Sequence, residues 1–173
     1  MILSKLLSID EVNGLISEHF IKIFGNVVQN STATAIGILK YRPFGNVKDL
    51  QNAIEVYLDS LKTVDKEKIL QDHPDMVSKL TDLSRLMLEY EVEIEGIYEV
   101  NRPSVAEKMH LKELNRKYIK KFGFPFISFG KENFFDVFTD IEKRIDNNKE
   151  EEILTAIKEI KKICRLRVLE IVQ

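Results

Sequence analysis

The stretch Glu150-Glu-Glu-Ile-Leu-Thr-Ala-Ile-Lys-Glu-Ile-Lys-Lys-Ile-Cys-Arg-Leu-Arg-Val-Leu-Glu-Ile-Val172 follows the turn-forming Asp146-Asn147-Asn148 and contains neither glycine nor proline. On a wheel of about 100° per residue, Ile153, Ile157, Ile160, Cys164 and Ile171 fall on one stripe. So long an apolar stripe reads as an amphipathic helix with one side in a core. The rest of the chain agrees. Among 173 residues there are only 7 Gly and 4 Pro, about half the usual share of roughly 12%, so long elements with few turns are expected.

Composition bounds the function classes. With 44% hydrophobic and 31% charged residues, the chain can build a core beneath a solvated surface. The length predicts one domain spanning residues 1–173. A formal net charge of −2 lacks the basic excess that neutralising several phosphates requires, so no nucleic-acid partner is expected. No window approaches the ~20 apolar residues that span a bilayer, and none is expected to meet a membrane. Cys164 is the sole cysteine and has no second thiol for a disulfide or redox motif. The N-terminus reaches Asp10-Glu11 too soon for a secretory signal, and the C-terminal Glu-Ile-Val-Gln is not a peroxisomal signal, so the cytoplasm is expected.

Ser8 with Glu11 forms a capping-box pattern. The set Val12, Leu15, Ile16, Phe20, Ile23, Phe24 then predicts one helix ending near Gly25. A second, with Ala33, Ile36 and Leu39, runs from Asn30 or Ser31 until Pro43 bars Arg42 from the helical region. Further helices are expected from Val47 through Leu61, from Val64 to Gln71, and from Leu80 to Val100. Ser104 with Glu107 is a second capping box, opening a helix through Met109, Leu111, Leu114, Tyr118 and Ile119 to Lys121. Phe122-Gly-Phe-Pro-Phe-Ile-Ser-Phe-Gly130 breaks the pattern as a short irregular apolar segment, and Phe134 to Ile145 resumes it. The fold class is all-α, a bundle of about seven to nine helices.

Three features stand out from this background. Arg167 lies within the apolar stripe of the last helix, where a guanidinium must either snorkel to water or find an anion. His73 precedes Pro74 where a helix stops; it is either an exposed loop residue or a held general acid/base. Glu89, Glu91, Glu93 and Glu95 alternate by two on the long central helix, so at most one or two face inward and the others form a solvated face. His19 and His110 read as surface or boundary residues. No His and carboxylate spacing matches a zinc motif such as His-Glu-x-x-His.

In chain order, Phe24-Gly-Asn-Val-Val28, Tyr41-Arg-Pro-Phe44, His73-Pro-Asp75, Leu114-Asn115 with Tyr118, Lys121-Phe-Gly-Phe-Pro-Phe126 and Lys162-Ile-Cys-Arg-Leu-Arg167 resemble one family. It is 2-oxo-4-hydroxy-4-carboxy-5-ureidoimidazoline (OHCU) decarboxylase, which completes the conversion of urate to allantoin. The resemblance covers about residues 8 to 172. It implies a helical homodimer that needs no metal or organic cofactor and acts on a small anionic ureidoimidazoline. His73 would correspond to the catalytic histidine, with Pro74 beside the ligand. Phe126, Ile127, Ser128, Phe129 and Gly130 would be the segment whose backbone meets the substrate, and Arg167 an active-site arginine orienting the anion.

The chain departs from the family at one important place. Members carry Ser-x-x-Glu-Gln on the central helix, with the Glu working beside the histidine, and no such string occurs here. Anchoring on Leu80-Thr81 puts Met87 and Leu88 in the Glu and Gln places. Anchoring on Gly96-Ile97 puts Glu91 in the Glu place, and ungapped counting from His73 chooses Glu93. Glu91 is preferred because a buried His-Arg pocket without a carboxylate is electrostatically odd. Gln29 also stands where many members have Glu. The implied reaction loses carbon dioxide to leave an enolate-like intermediate whose charge the ring carbonyl takes, with His73 as general acid/base giving the S enantiomer of allantoin. The alternative reading is a catalytically weak or inactive relative that keeps the fold as a ligand-binding or dimeric scaffold.

Overall fold

Residues 6–81, 103–131 and 133–173 are described by the structure, a computed structural model. Local chemistry sets most helix starts. Ser8 accepts from the Glu11 amide while Glu11 reaches back to the Ser8 amide, opening α1 (Ile9–Gly14). Asn46 caps α4 (Val47–Ser60) and Asn133 caps α7 (Phe134–Arg144) by accepting from the third helical amide. Ser104 and Glu107 repeat the reciprocal capping box at α6 (Val105–Phe122). Each such cap satisfies helix-end donors that burial would otherwise leave unpaired. The remaining helices are α2 (Ser17–Phe24), α3 (Thr32–Ile38), α5 (Thr63–Gln71) and α8 (Lys149–Leu169), with a 3₁₀ turn at Leu39–Tyr41. Among the described residues there is no strand, only an isolated parallel bridge between Leu7 and Val172. No helix among them is long and apolar enough to cross a membrane.

Three expectations about helix extent are corrected. The predicted first helix is two helices, because the chain turns extended at Leu15 and Ile16. Arg42 donates to the Leu15 carbonyl at 2.6 Å, and Ile16 is 60% exposed instead of buried. The second helix stops at Ile38 and tightens into the 3₁₀ turn, with Arg42 extended before Pro43. Ile36 and Met109, which lie along these predicted helices, are exposed. The helix placed from Leu80 begins earlier, at residue 76. Its continuation, including Glu89, Glu91, Glu93 and Glu95, lies outside the described residues.

The chain divides into two compact units, residues 1–73 with 153–173, and residues 74–152. In the first, α3 packs on α2 and α4. Val12, Phe20, Phe24, Val28, Leu50, Ile54, Leu58 and Leu70 are buried, as are Ile157, Ile160, Cys164 and Val168 from α8. Burying each large apolar side chain is worth about 1.5–3 kcal/mol. A polar seam runs beside them. Gln51 donates to the Arg165 carbonyl at 3.0 Å, Arg165 meets Glu55 at 2.5 Å and Lys161 meets Asp59 at 2.6 Å. As the α4 numbers rise the α8 numbers fall, so the two helices run antiparallel.

In the second unit α6 packs on α7. Tyr118, Phe122, Phe124 and Phe126 form an aromatic cluster, with the Tyr118 ring 4.6 Å from that of Phe122 and 5.3 Å from that of Phe126. Gly123 ends α6 in the left-handed conformation at φ 84°, which a glycine adopts without a Cβ penalty. The irregular segment after it is largely buried from Phe124 to Ser128 and emerges at Phe129 and Gly130.

Candidate active site

His73 sits just beyond the end of α5. The Asp72 amide donates to Lys68 and the His73 amide to Leu70, closing the last turn before Pro74 breaks the ladder. This turn brings the imidazole back over its own helix, 8% exposed, with Nδ1 2.9 Å from the Ile69 carbonyl. An exposed loop histidine is therefore excluded. A carbonyl oxygen only accepts, so Nδ1 carries the proton. In the neutral ring Nε2 is then the acceptor. The His73 pKa lies below its ordinary value, first because burial disfavours the charged ring and also because the Arg167 charge repels it. The Ile69 hydrogen bond and Asp72 act in the opposite sense.

Arg167 extends from the last turns of α8. Its Nη1 donates to the carbonyls of Asn26 and Val27, both at 3.2 Å, and its Nη2 to Oε1 of Gln29 at 3.0 Å. The stripe residues Ile153, Ile157, Ile160 and Cys164 are buried, whereas Arg167 is half-buried. Among the described residues it neither snorkels freely nor meets an internal anion. It pins the turn after α2 through neutral oxygens, and among the described residues no carboxylate compensates its charge. Cys164 donates to the same Val27 carbonyl at 3.3 Å, and burial pushes its thiol up to about 12. That thiol is inert packing.

His73 and Arg167 belong to the first unit, whereas Pro74 and Phe126 to Gly130 belong to the second. Phe126, Ile127 and Ser128 are buried and Phe129 is 37% exposed. Gly130 holds φ 70°, a conformation that a larger residue would strain. Asp75 accepts from the amides of Val77 and Ser78, capping the helical stretch 76–81, and also receives both oxygens' worth of contact from Asn115 Nδ2 at 3.0 and 3.2 Å.

A buried ionic network in the second unit escaped the sequence reading. Glu152 is fully buried and accepts from Arg144 Nε at 2.9 Å, from Arg144 Nη2 at 2.5 Å, from the Tyr118 hydroxyl and from Asn147 at 2.7 Å. Its signal was present. Arg144 continues the apolar set Phe134, Val137, Ile141 at helical spacing, and Glu152 adjoins Ile153 at the head of the α8 stripe. The wheel argument that singled out Arg167 applies equally to both.

In the first unit, a buried imidazole whose Nε2 has no hydrogen-bond partner among the described residues lies within electrostatic reach of a guanidinium that no described carboxylate neutralises. A neutral imidazole beside a guanidinium is chemically able to exchange a proton and to hold an anion. Comparison with known proteins identifies the family. The OHCU decarboxylase family pattern matches residues 13–169. The chain is 33% identical over 165 residues to 2-oxo-4-hydroxy-4-carboxy-5-ureidoimidazoline decarboxylase of Amia calva, covering 94% of this chain and 93% of that one. It is 32% identical over 167 residues to the protein of the same name from Xenopus laevis, covering 95% and 94%. It is also 30% identical to a uric acid degradation bifunctional protein of Bacillus sp. (strain TB-90), covering 96% of this chain and 32% of that protein. In fold it is similar to the crystal structure of an (S)-allantoin synthase, with a TM-score of 0.77 and 18% identity over 96% of this chain and 54% of that one. The chain belongs to the OHCU decarboxylase family, whose members are carboxy-lyases.

Proposed function

We propose that this chain decarboxylates 2-oxo-4-hydroxy-4-carboxy-5-ureidoimidazoline to (S)-allantoin in urate degradation, with His73 as its general acid/base. The observation that carries the residue assignment is the Nδ1 hydrogen bond to Ile69, which leaves Nε2 of a buried, neutral ring as the proton acceptor. The bond from the ring carbon to the carboxylate breaks and carbon dioxide leaves. Its electron pair stays on the ring as an enolate-like system with charge at the ring oxygen, and a solvent proton balances the lost carboxylate charge. Nε2 takes the proton of the substrate hydroxyl and returns it to one face of the neighbouring ring carbon, which fixes the hand of the product. Arg167 orients the anion, a role supported by its lack of a described carboxylate partner.

Pro74 and Phe126, Ile127, Ser128, Phe129 and Gly130 are assigned to substrate contact and Glu91 to the support of His73, all on the strength of the family resemblance. The single domain over residues 1–173 is supported by a family match that runs through both compact units. The chain acts as a homodimer in the cytoplasm, a setting that the lone buried thiol fits.

The test follows freshly generated substrate by circular dichroism. His73→Asn lowers turnover by about 10²–10⁴-fold, the usual worth of a general acid/base, with an unchanged thermal midpoint. Full turnover by the folded variant removes His73 from the mechanism. The absent Ser-x-x-Glu-Gln string favours the second reading, an inactive scaffold. A wild-type chain that binds (S)-allantoin but never accelerates its formation would establish that reading instead.

A further inference from the structure

Three consecutive residues of the irregular segment are tied to the buried network around Arg144. The Arg144 guanidinium lies over the Phe126 ring at 4.5 Å from its centroid. Its Nη1 donates to the Ile127 carbonyl at 2.7 Å. The Ser128 hydroxyl donates to Asp140 at 2.8 Å, and Asp140 in turn lies 3.5 Å from Arg144. Arg144 is 7% exposed and Glu152 0%. Taking such a pair out of water costs several kcal/mol per ion, and an apolar pair of the same volume often serves stability as well. Packing alone does not require this arrangement.

The geometry says what the arrangement fixes. The Ile127–Ser128 peptide is trans, since the one cis bond among the described residues is Arg42–Pro43. In a planar trans peptide the carbonyl and the following N–H point in opposite directions. Arg144 holds the Ile127 carbonyl, so the Ser128 N–H is directed away from the ion cluster. Ser128 is 8% exposed, and among the described residues its N–H has no acceptor. A buried donor without a partner is costly to a fold and is a common way to hold a ligand oxygen. A charged hydrogen bond at the carbonyl also polarises the peptide and strengthens that N–H as a donor.

We propose that Arg144, braced by Glu152, is a positioning residue for the decarboxylation, orienting the Ile127–Ser128 peptide so that the Ser128 N–H donates to an oxygen of the ureidoimidazoline substrate. The inference rests on the decarboxylase reading above and adds residues to it. Asp140 and the Phe126 ring contact hold the two flanking residues, so the peptide cannot rotate without breaking three anchors.

The experiment titrates (S)-allantoin, the product, into ¹⁵N-labelled protein and follows the Ser128 amide resonance, alongside kcat/KM and thermal midpoints. In the wild type the Ser128 amide shifts on titration. Arg144→Lys, which keeps the charge but loses the fork, stays folded, loses the Ser128 response and falls roughly 10–100-fold in kcat/KM, the scale of a small misplacement near reacting atoms. Asp140→Asn, which spares the carbonyl contact, retains the Ser128 response. A Ser128 amide indifferent to allantoin in the wild type overturns the proposal whether or not Arg144→Lys folds. So does a folded Arg144→Lys enzyme with wild-type kcat/KM. Absence of turnover in the wild type sinks the decarboxylase reading itself and is told apart by that control.

Discussion

Nδ1 of His73 lies 2.9 Å from the carbonyl oxygen of Ile69, one helical turn earlier, and this contact decides which imidazole nitrogen is left to exchange protons. The ring is held by main chain, so its orientation survives changes in neighbouring side chains.

The depressed His73 pKa makes a pH prediction with a definite sign. Burial is its largest cause and the Arg167 charge adds to it. The neutral, proton-accepting ring therefore persists below the ordinary histidine value of about 6.5, and the acid limb of kcat/KM falls below that pH. In the same window the unfolded chain binds more protons than the folded one, so stability rises with pH up to about 6.5 and is then level. Gln29→Glu places a carboxylate on Arg167, offsets its charge and moves the His73 pKa, read by NMR, upward toward the ordinary value. A downward movement would contradict the electrostatic assignment.

At Glu91 the prediction concerns the register of the central acidic run. Glu91→Gln lowers turnover on the scale of an acid–base partner, about 10²-fold or more, while Glu93→Gln leaves it near wild type. Steady-state rates for the two variants side by side check this. The reverse pattern would choose the ungapped register and move the assignment to Glu93.

Gly37, in α3, faces the Tyr57 ring of α4 so closely that a methyl group there would overlap the ring. Gly37→Ala gains helix propensity but overpacks the contact, and the net cost is about 1–3 kcal/mol. A thermal melt should show the loss, and Tyr57→Leu in the same chain should recover part of it. A stabilised Gly37→Ala chain would mean that α3 and α4 separate at little cost.

Helix locations were largely legible because they depend on neighbours in sequence. Both capping boxes, at Ser8 and Ser104, form as read, since a hydroxyl and a carboxylate three residues apart reach each other whatever else the chain does. The break at Leu15–Ile16 was not legible. It coincides with a hydrogen bond from Arg42, 27 residues away, which no local pattern contains. Burial of His73 was likewise open from sequence, because an Asp-His-Pro turn suits either an exposed or a folded-back ring.

The sequence by itself determined an all-helical chain, the family to which it belongs, and the isolated polar residues worth examining, because apolar spacing and short motifs are local quantities. Tertiary structure alone decided which of those polar groups are held inside and by what. Arg167 rests on neutral oxygens near Gln29, while Arg144 shares a buried carboxylate with Tyr118 and grips the Ile127 carbonyl. On a helical wheel the two arginines look alike. Their difference arises because desolvating a guanidinium requires partners from distant parts of the chain, and only folding brings those partners into reach.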